Sequence, residues 1–247
     1  MELVYNKQTA NHEISIWDTT ELDGEQGSFR IIQFSGESVQ GALDLQDPER
    51  IVFEYPRAII HLMEYHHPAF EDVFMIGHGI GTISRHLASR RVQVAEIDDQ
   101  VVELSRKYFG YDRNNVKLGD GRQLLNEVAP DSLDFVILDA FNGDGTPIHL
   151  LTESFFKEIH VKLNAEGAVL LNLIGRGGND KLISAICTTL YTCFDYVKVF
   201  ALRSGPAGSR QNVIMMAGHA PIGYQAKHMA GFVEIAVAQG YVIRDGD

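Results

Sequence analysis

The sequence predicts an α/β protein: a mostly parallel sheet covered by helices, closing on an antiparallel hairpin and preceded by a small β-rich region. Three observations carry this. Residues 72–190 alternate short apolar runs with helical stretches. Beyond them, two strand-like segments are joined by a loop instead of a helix. Before them, residues 12–45 alternate apolar and polar side chains at the period of two that strands require.

In the opening region His12–Thr19, Ser28–Phe34 and Ser38–Leu45 read as strands, with turn chemistry at Leu22-Asp23-Gly24 and Gly36. Pro48 and Glu49 are expected to open a helix running through Ile51, Tyr55, Ile59 and Leu62, kinked or split at Pro56. Strands follow at Val73–Ile76, Val92–Ile97, Val116–Leu118, Phe135–Leu138 and Ala168–Leu173. Helices are expected between and after them at Thr82–Ser89, Asp98–Tyr108, Arg122–Val128, Thr152–Leu163 and Asp180–Leu190. Tyr196–Leu202 and Asn212–Ala217, joined across Ser204-Gly205-Pro206-Ala207-Gly208, form the hairpin, placed at the sheet edge. A dinucleotide-binding sheet would more often continue β-α-β here. The hairpin therefore favours the Rossmann-like sheet of the class I methyltransferase type. An amphipathic helix is expected near Tyr224–Ala238. The division is a β-rich domain over 1–47 and a nucleoside-binding domain over 48–247.

Composition narrows the function. The 247 residues carry a formal net charge of −12, which argues against binding a phosphate backbone and could steer a cationic substrate. Cys187 and Cys193 have no metal-ligand spacing and read as buried or half-buried thiols of a reducing compartment. The ten histidines show no H-E-x-x-H or comparable set, so no metal is expected. With no signal-peptide pattern and no run of bilayer length, the expectation is a soluble cytoplasmic protein with no membrane partner.

The candidate site lies at the strand ends. Val73–Ile76 runs directly into Gly77-His78-Gly79-Ile80-Gly81, a G-x-G-x-G turn that allows close approach of a ligand to the backbone. A dinucleotide fingerprint would place its third glycine at position 82, which is Thr. His78 either touches the ligand or is an incidental loop residue. Glu96, closing the second strand and followed by Ile97, is placed to accept from both ribose hydroxyls; the alternative is a charge at a helix start. Asp120, in Gly119-Asp120-Gly121, is placed to accept from the adenine amine or to cap the next helix. Asp139 ends the fourth strand and is the candidate for the reactive end.

Together these stretches resemble the spermidine synthase family. The resemblance rests on Val39-Gln40-Gly41-Ala42, Asp47-Pro48-Glu49-Arg50, Phe53-Glu54-Tyr55, the Gly77–Gly81 turn, Glu96-Ile97-Asp98, Gly119-Asp120-Gly121, Asp139-Ala140-Phe141, and Pro147-x-His149-Leu150 with Glu153-Ser154-Phe155-Phe156. It spans roughly residues 10–175. It implies a co-substrate, decarboxylated S-adenosylmethionine or S-adenosylmethionine, with an aminopropyl group passing to an amine and methylthioadenosine left behind. It places Gln40 and Tyr55 on the cleft, Glu96 on the ribose, Asp120 on the adenine and Asp139 near the sulfonium. It further implies a homodimer with a small-molecule amine substrate and no nucleic acid.

Two positions depart from the family. Its glycine turn usually carries an Asp toward the amine where this chain has Ile80, and a second acid follows the catalytic Asp where this chain has Asn142. Asp139, Asn142 and Tyr55 are the catalytic candidates, with Asp144 a possible substitute acid. Loss of two carboxylates predicts weak transfer to putrescine, and Asn142→Asp combined with Ile80→Asp is expected to restore it. The alternatives are a methyltransferase and a nucleoside-binding homologue without chemistry.

Overall fold

The alternating segments assemble into two sheets in the computed structural model, which describes residues 1–8, 13–35, 39–142, 145–176, 178, 180–202 and 210–246. The first is an antiparallel meander of β1 (Glu2–Gln8), β2 (Glu13–Leu22), β3 (Glu25–Phe34) and β4 (Val39–Asp44). Asp23 and Gly24 join β2 to β3 with φ of 51° and 83°, the mirror-image two-residue turn that suits strand twist. The β1 strand was not foreseen, because Glu2–Gln8 buries none of its side chains and shows no clear alternation.

The second sheet is built from β5 (Asp72–Ile76), β6 (Arg91–Glu96), β7 (Val116–Leu118), β8 (Leu133–Leu138), β9 (Leu163–Gly175), β10 (Tyr196–Leu202), β11 (Gln211–Gly218) and β12 (Phe232–Glu234). Its order is β12-β10-β11-β9-β8-β5-β6-β7. β7, β6, β5, β8 and β9 run parallel, and β11, β10 and β12 add antiparallel. This is the predicted parallel sheet with a terminal hairpin, except that β12 covers the hairpin and takes the edge. The Ser204–Gly208 loop lies outside the described residues.

The helices are α1 (Glu54–His66), α2 (Thr82–His86), α3 (Asp99–Phe109), α4 (Gly121–Asn126), α5 (Glu153–Lys162) and α6 (Lys181–Leu190). Their starts are set locally: Asp98, Asp120, Thr152 and Asp180 each accept a backbone N–H from the first turn. Two expectations need correction. The first helix begins at Glu54, not at Pro48, and Pro56 sits in its first turn, where a missing N–H leaves no bond unmade and causes no kink. The expected helix at Tyr224–Ala238 is a single 3-10 turn, Ala226–His228, followed by β12. Ala230 and Gly231 take φ of 48° and 92°, which ends any helix there.

Each face of the large sheet is an apolar layer. Ala58, Ile59, Leu62 and Met63 of α1 cover Phe135, Ile137, Ala168, Leu170, Ile214 and Met216. On the other face α5 and α6 bury Phe155, Phe156, Ile183 and Ile186 against Val136, Leu138, Val169, Leu171, Val213 and Met215. The meander joins through a third cluster in which Ile14, Ile16, Ile32 and Leu43 meet Ile80, Leu104 and Phe109. Cys187 and Cys193 are free thiols, buried and half-buried. Among the described residues no helix is long and apolar enough to cross a membrane.

Candidate active site

The carboxyl ends of β5, β6, β7 and β8 gather the motifs read from the sequence. Gly77 leaves β5 with φ of 96° and donates its N–H to the Ala95 carbonyl at 2.9 Å. A Cβ at Gly77 would lie 2.0 Å from the Asp139 carbonyl oxygen, so only glycine lets β5 and β8 end side by side. At Gly79, with φ of 54°, a Cβ would meet nothing within 4 Å, which leaves this stretch of backbone open. Gly81 makes room for the Tyr111 ring, 2.3 Å from where its Cβ would stand.

The backbone of His78, not its ring, meets the Glu96 carboxylate. Its N–H donates to Glu96 Oε2 at 2.9 Å, while Asp98 N–H donates to Oε1 at 2.9 Å. The His78 ring turns inward, 2.8 Å from Ser105 Oγ and edge-on to Tyr111; burial pushes its pKa down to about 4. Glu96 is therefore a buried carboxylate fixed by main-chain amides. Burial raises its pKa, against the Asp98, His78 and Ile97 amides that hold it down.

Beside it, Ile97 is 75% exposed and Leu118 58%, two aliphatic side chains at adjoining strand ends. Glu96 pairs with Leu118 across β6 and β7, and Gly119 N–H returns to the Glu96 carbonyl at 2.8 Å. Asp120 caps α4 through Gln123 N–H at 3.0 Å and holds His149 Nε2 at 3.0 Å. Burial pushes the Asp120 carboxyl up, but the Gln123 amide and His149 outweigh it and leave the pKa lowered. Gly121 packs so closely on Ile76 that a Cβ would stand 2.3 Å from its Cγ2. Of the two readings of Asp120 the helix cap is the one seen: one carboxylate oxygen accepts from Gln123 and the other is held by His149.

At the carboxyl ends of β8 and β9 the α1-facing layer changes character. One step beyond the apolar rows of β8, β9 and β11 stand Asp139, Asn172 and Asn212. Asn172 Nδ2 donates to Asp139 Oδ1 at 2.8 Å, and Asn212 Nδ2 donates to Asn172 Oδ1 at 2.8 Å. Tyr55 donates its hydroxyl to Asp139 from α1. Burial raises the Asp139 carboxyl to about 6, although Asn172 and Tyr55 favour its charged form. Burial, together with the Asp139 charge, holds the Tyr55 phenol well above its ordinary value.

The remaining candidates are less central. Asn142 is exposed and pairs with Gly145 through reciprocal backbone bonds of 2.8 and 3.2 Å; Asp144 lies outside the described residues. Thr146, which the sequence reading passed over, has a buried hydroxyl with no hydrogen-bond partner among the described residues. Gln40 lies on β4 next to Gly41, where a Cβ would stand 2.9 Å from Ile80 Cγ2. Ile80 itself is only 3% exposed and belongs to the apolar cluster under the meander. The expectation that an acid at this position would serve the amine end needs correction, because the side chain points into that cluster. Among the described residues no group of three or more His, Cys, Asp or Glu could hold a metal ion.

A family model, the spermine/spermidine synthase domain, matches residues 52–218. The chain belongs to this family. Residues 52–218 run from just before α1 to the end of β11, so the spermine/spermidine synthase domain takes in every strand-end motif described above except Gln40. A polyamine aminopropyltransferase of Vibrio vulnificus is 32% identical over 162 residues, covering 60% of this chain and 54% of that protein. The match thus spans about half the length of that relative. A polyamine aminopropyltransferase of Neisseria meningitidis serogroup A is 25% identical over 201 residues, covering 78% of this chain and 73% of that protein. Among solved structures, a probable spermidine synthase from Corynebacterium glutamicum shares the fold with a TM-score of 0.74 at 23% identity, covering 88% of this chain and 81% of that one. Human methyltransferase-like protein 13, solved with SAH, shares it with a TM-score of 0.55 at 20% identity, covering 71% of this chain and 83% of that one.

Proposed function

We propose that this protein is an aminopropyltransferase-like enzyme that holds an adenosyl-sulfonium nucleoside and passes an alkyl group, aminopropyl by family, to a small amine. The co-substrate is decarboxylated S-adenosylmethionine, or S-adenosylmethionine itself. The observation that carries this reading is Asp139: a carboxylate of raised pKa at a strand end, against the open glycine turn and hydrogen-bonded by Tyr55.

In this reading Glu96 accepts from the ribose hydroxyls, Ile97 and Leu118 lie against the adenine, and Asp120 accepts from its amine. The nitrogen lone pair of the acceptor attacks the carbon bound to sulfur, the C–S bond breaks with its electrons going to sulfur, and a neutral thioether nucleoside leaves. The proton lost by the amine passes to Asp139. Much of the rate comes from holding nitrogen and carbon in line.

Two measurements test this. Glu96→Gln is expected to weaken binding of methylthioadenosine by about 10- to 100-fold, since a charged acceptor facing hydroxyls contributes about 1.5–3 kcal/mol. Calorimetry that finds unchanged affinity in the folded variant removes Glu96 from the site. The second measurement follows methylthioadenosine release from the decarboxylated nucleoside. Turnover with putrescine is expected to be weak, because Asn142, exposed beyond Asp139, supplies no second carboxylate to hold the cationic acceptor. Robust turnover with putrescine overturns that part. Methyl transfer from S-adenosylmethionine, with none from the decarboxylated form, replaces the reading with a methyltransferase.

A further inference from the structure

Strand β9 carries one amide within an apolar run. Its run Leu170-Leu171-Asn172-Leu173 is buried, and Asn172, flanked by leucines in sequence, is 1% exposed. A leucine there would avoid desolvating an amide but would take a donor from Asp139 Oδ1. What the amide does is transmit direction. An ionised carboxylate can only accept, so the Asn172 group facing Asp139 must be its NH2. Asn172 Oδ1 then faces β11, where Asn212 must also present NH2, and both bonds measure 2.8 Å. The charge at Asp139 sets the orientation of both amides, and the two amides in turn favour that charge.

We infer that Asn172 and Asn212 are positioning residues, which aim one oxygen of Asp139 away from the cleft wall and keep its carboxylate ready to accept a proton from the substrate amine. The antiparallel strand β11 thereby belongs to the working site, although Asn212 lies 73 positions beyond Asp139 in sequence. The inference rests on the proposed role of Asp139 as proton acceptor. The titratable group that bears on Asp139 from α1 is Tyr55; β9 contributes the uncharged Asn172, and β5 the backbone of the Gly77 turn.

The test is carboxyl carbon NMR on full-length protein labelled at aspartate, with the Asp139 resonance assigned by its loss in Asp139→Asn. Asn172→Leu and Asn212→Leu keep the branching and the number of heavy atoms and remove the amides. Asn172→Leu is expected to move the Asp139 midpoint upward by about one pH unit, the scale of losing one donor to the charged form. Asn212→Leu should move it in the same direction by less, and Asn212→Ser, whose hydroxyl can still donate to Asn172, should return it toward the unmodified value. In kinetics, the acid limb of kcat should move with the midpoint while KM for the nucleoside stays constant.

A folded Asn212→Leu protein with an unmoved midpoint overturns the inference and leaves the amides as filling. If Asn172→Leu fails to fold, the Asn212→Leu and Asn212→Ser pair decides alone. A moved midpoint in a protein that transfers no group to any amine would retain the positioning role and reject the proposed function. Turnover with an unmoved midpoint would do the reverse.

Discussion

Asp139→Asn is expected to lower alkyl transfer by about 10²- to 10⁴-fold, the contribution of a placed general base, while leaving methylthioadenosine binding within a few-fold. The substitution keeps the shape of the side chain and its bond to Tyr55, and removes only the capacity to take a proton. In the unmodified protein, kcat/KM should fall as pH drops through about 6, where burial places the Asp139 carboxyl. That limb should vanish in the variant. Stability should move the opposite way. The folded-state pKa of Asp139 lies above its ordinary value, so the folded protein binds the extra proton between about pH 4 and 6 and loses stability as pH rises through that window. At neutral pH the buried charge is a standing cost, and Asp139→Asn should melt at the same temperature or higher. A stopped-assay pH profile and a thermal melt check both halves. A folded variant that stays active would remove Asp139 from the chemistry, and one that unfolds would overturn the stability half.

That Asp139 was legible beforehand, and Asn172 was not, has a physical cause. A ligand at an open α/β sheet sits beyond the strand carboxyl ends, so any acid after an apolar run is visible as a candidate, and Glu96, Asp120 and Asp139 all follow this rule. Asn172 lies inside a run that reads as core, because β9 continues to Gly175, well past the point where β8 ends. The only signal was a single amide among leucines. Asn212 required knowing that β11 pairs antiparallel with β9, which is a tertiary fact. The same limit explains the tail. The apolar spacing over residues 224–238 suits a helix, but Gly231 and the free edge of β10 turn that stretch into a strand. Helix starts were more visible, since Asp98, Asp120, Thr152 and Asp180 act on their own next few residues.

Ile80→Asp is expected to destabilise the protein by about 3 kcal/mol or more, and not to recruit putrescine. Read from the sequence alone, position 80 is where an acid is missing, and restoring the acid looks like a gain of function. The packing says otherwise. The Ile80 side chain sits with Ile14, Ile16, Ile32, Leu43, Leu104 and Phe109, and Gly41 of β4 lies so close that even a methyl group there would crowd it. A carboxylate at this point loses the aliphatic contacts that bind the meander to the glycine turn and gains no partner for its charge. The pH dependence has a definite sign. A carboxyl buried there titrates above its unfolded value, so the loss of stability should be smallest in acid and grow as pH rises through the carboxylate range. Asn142→Asp gives the contrast, because Asn142 is exposed beyond Asp139 and can carry an acid without entering the core. It should leave the denaturation midpoint nearly unchanged and raise turnover with putrescine. Urea unfolding at pH 5 and pH 8, together with the methylthioadenosine assay, separates the two substitutions. An Ile80→Asp protein as stable as the parent and faster on putrescine would mean that the side chain at 80 reaches the cleft after all.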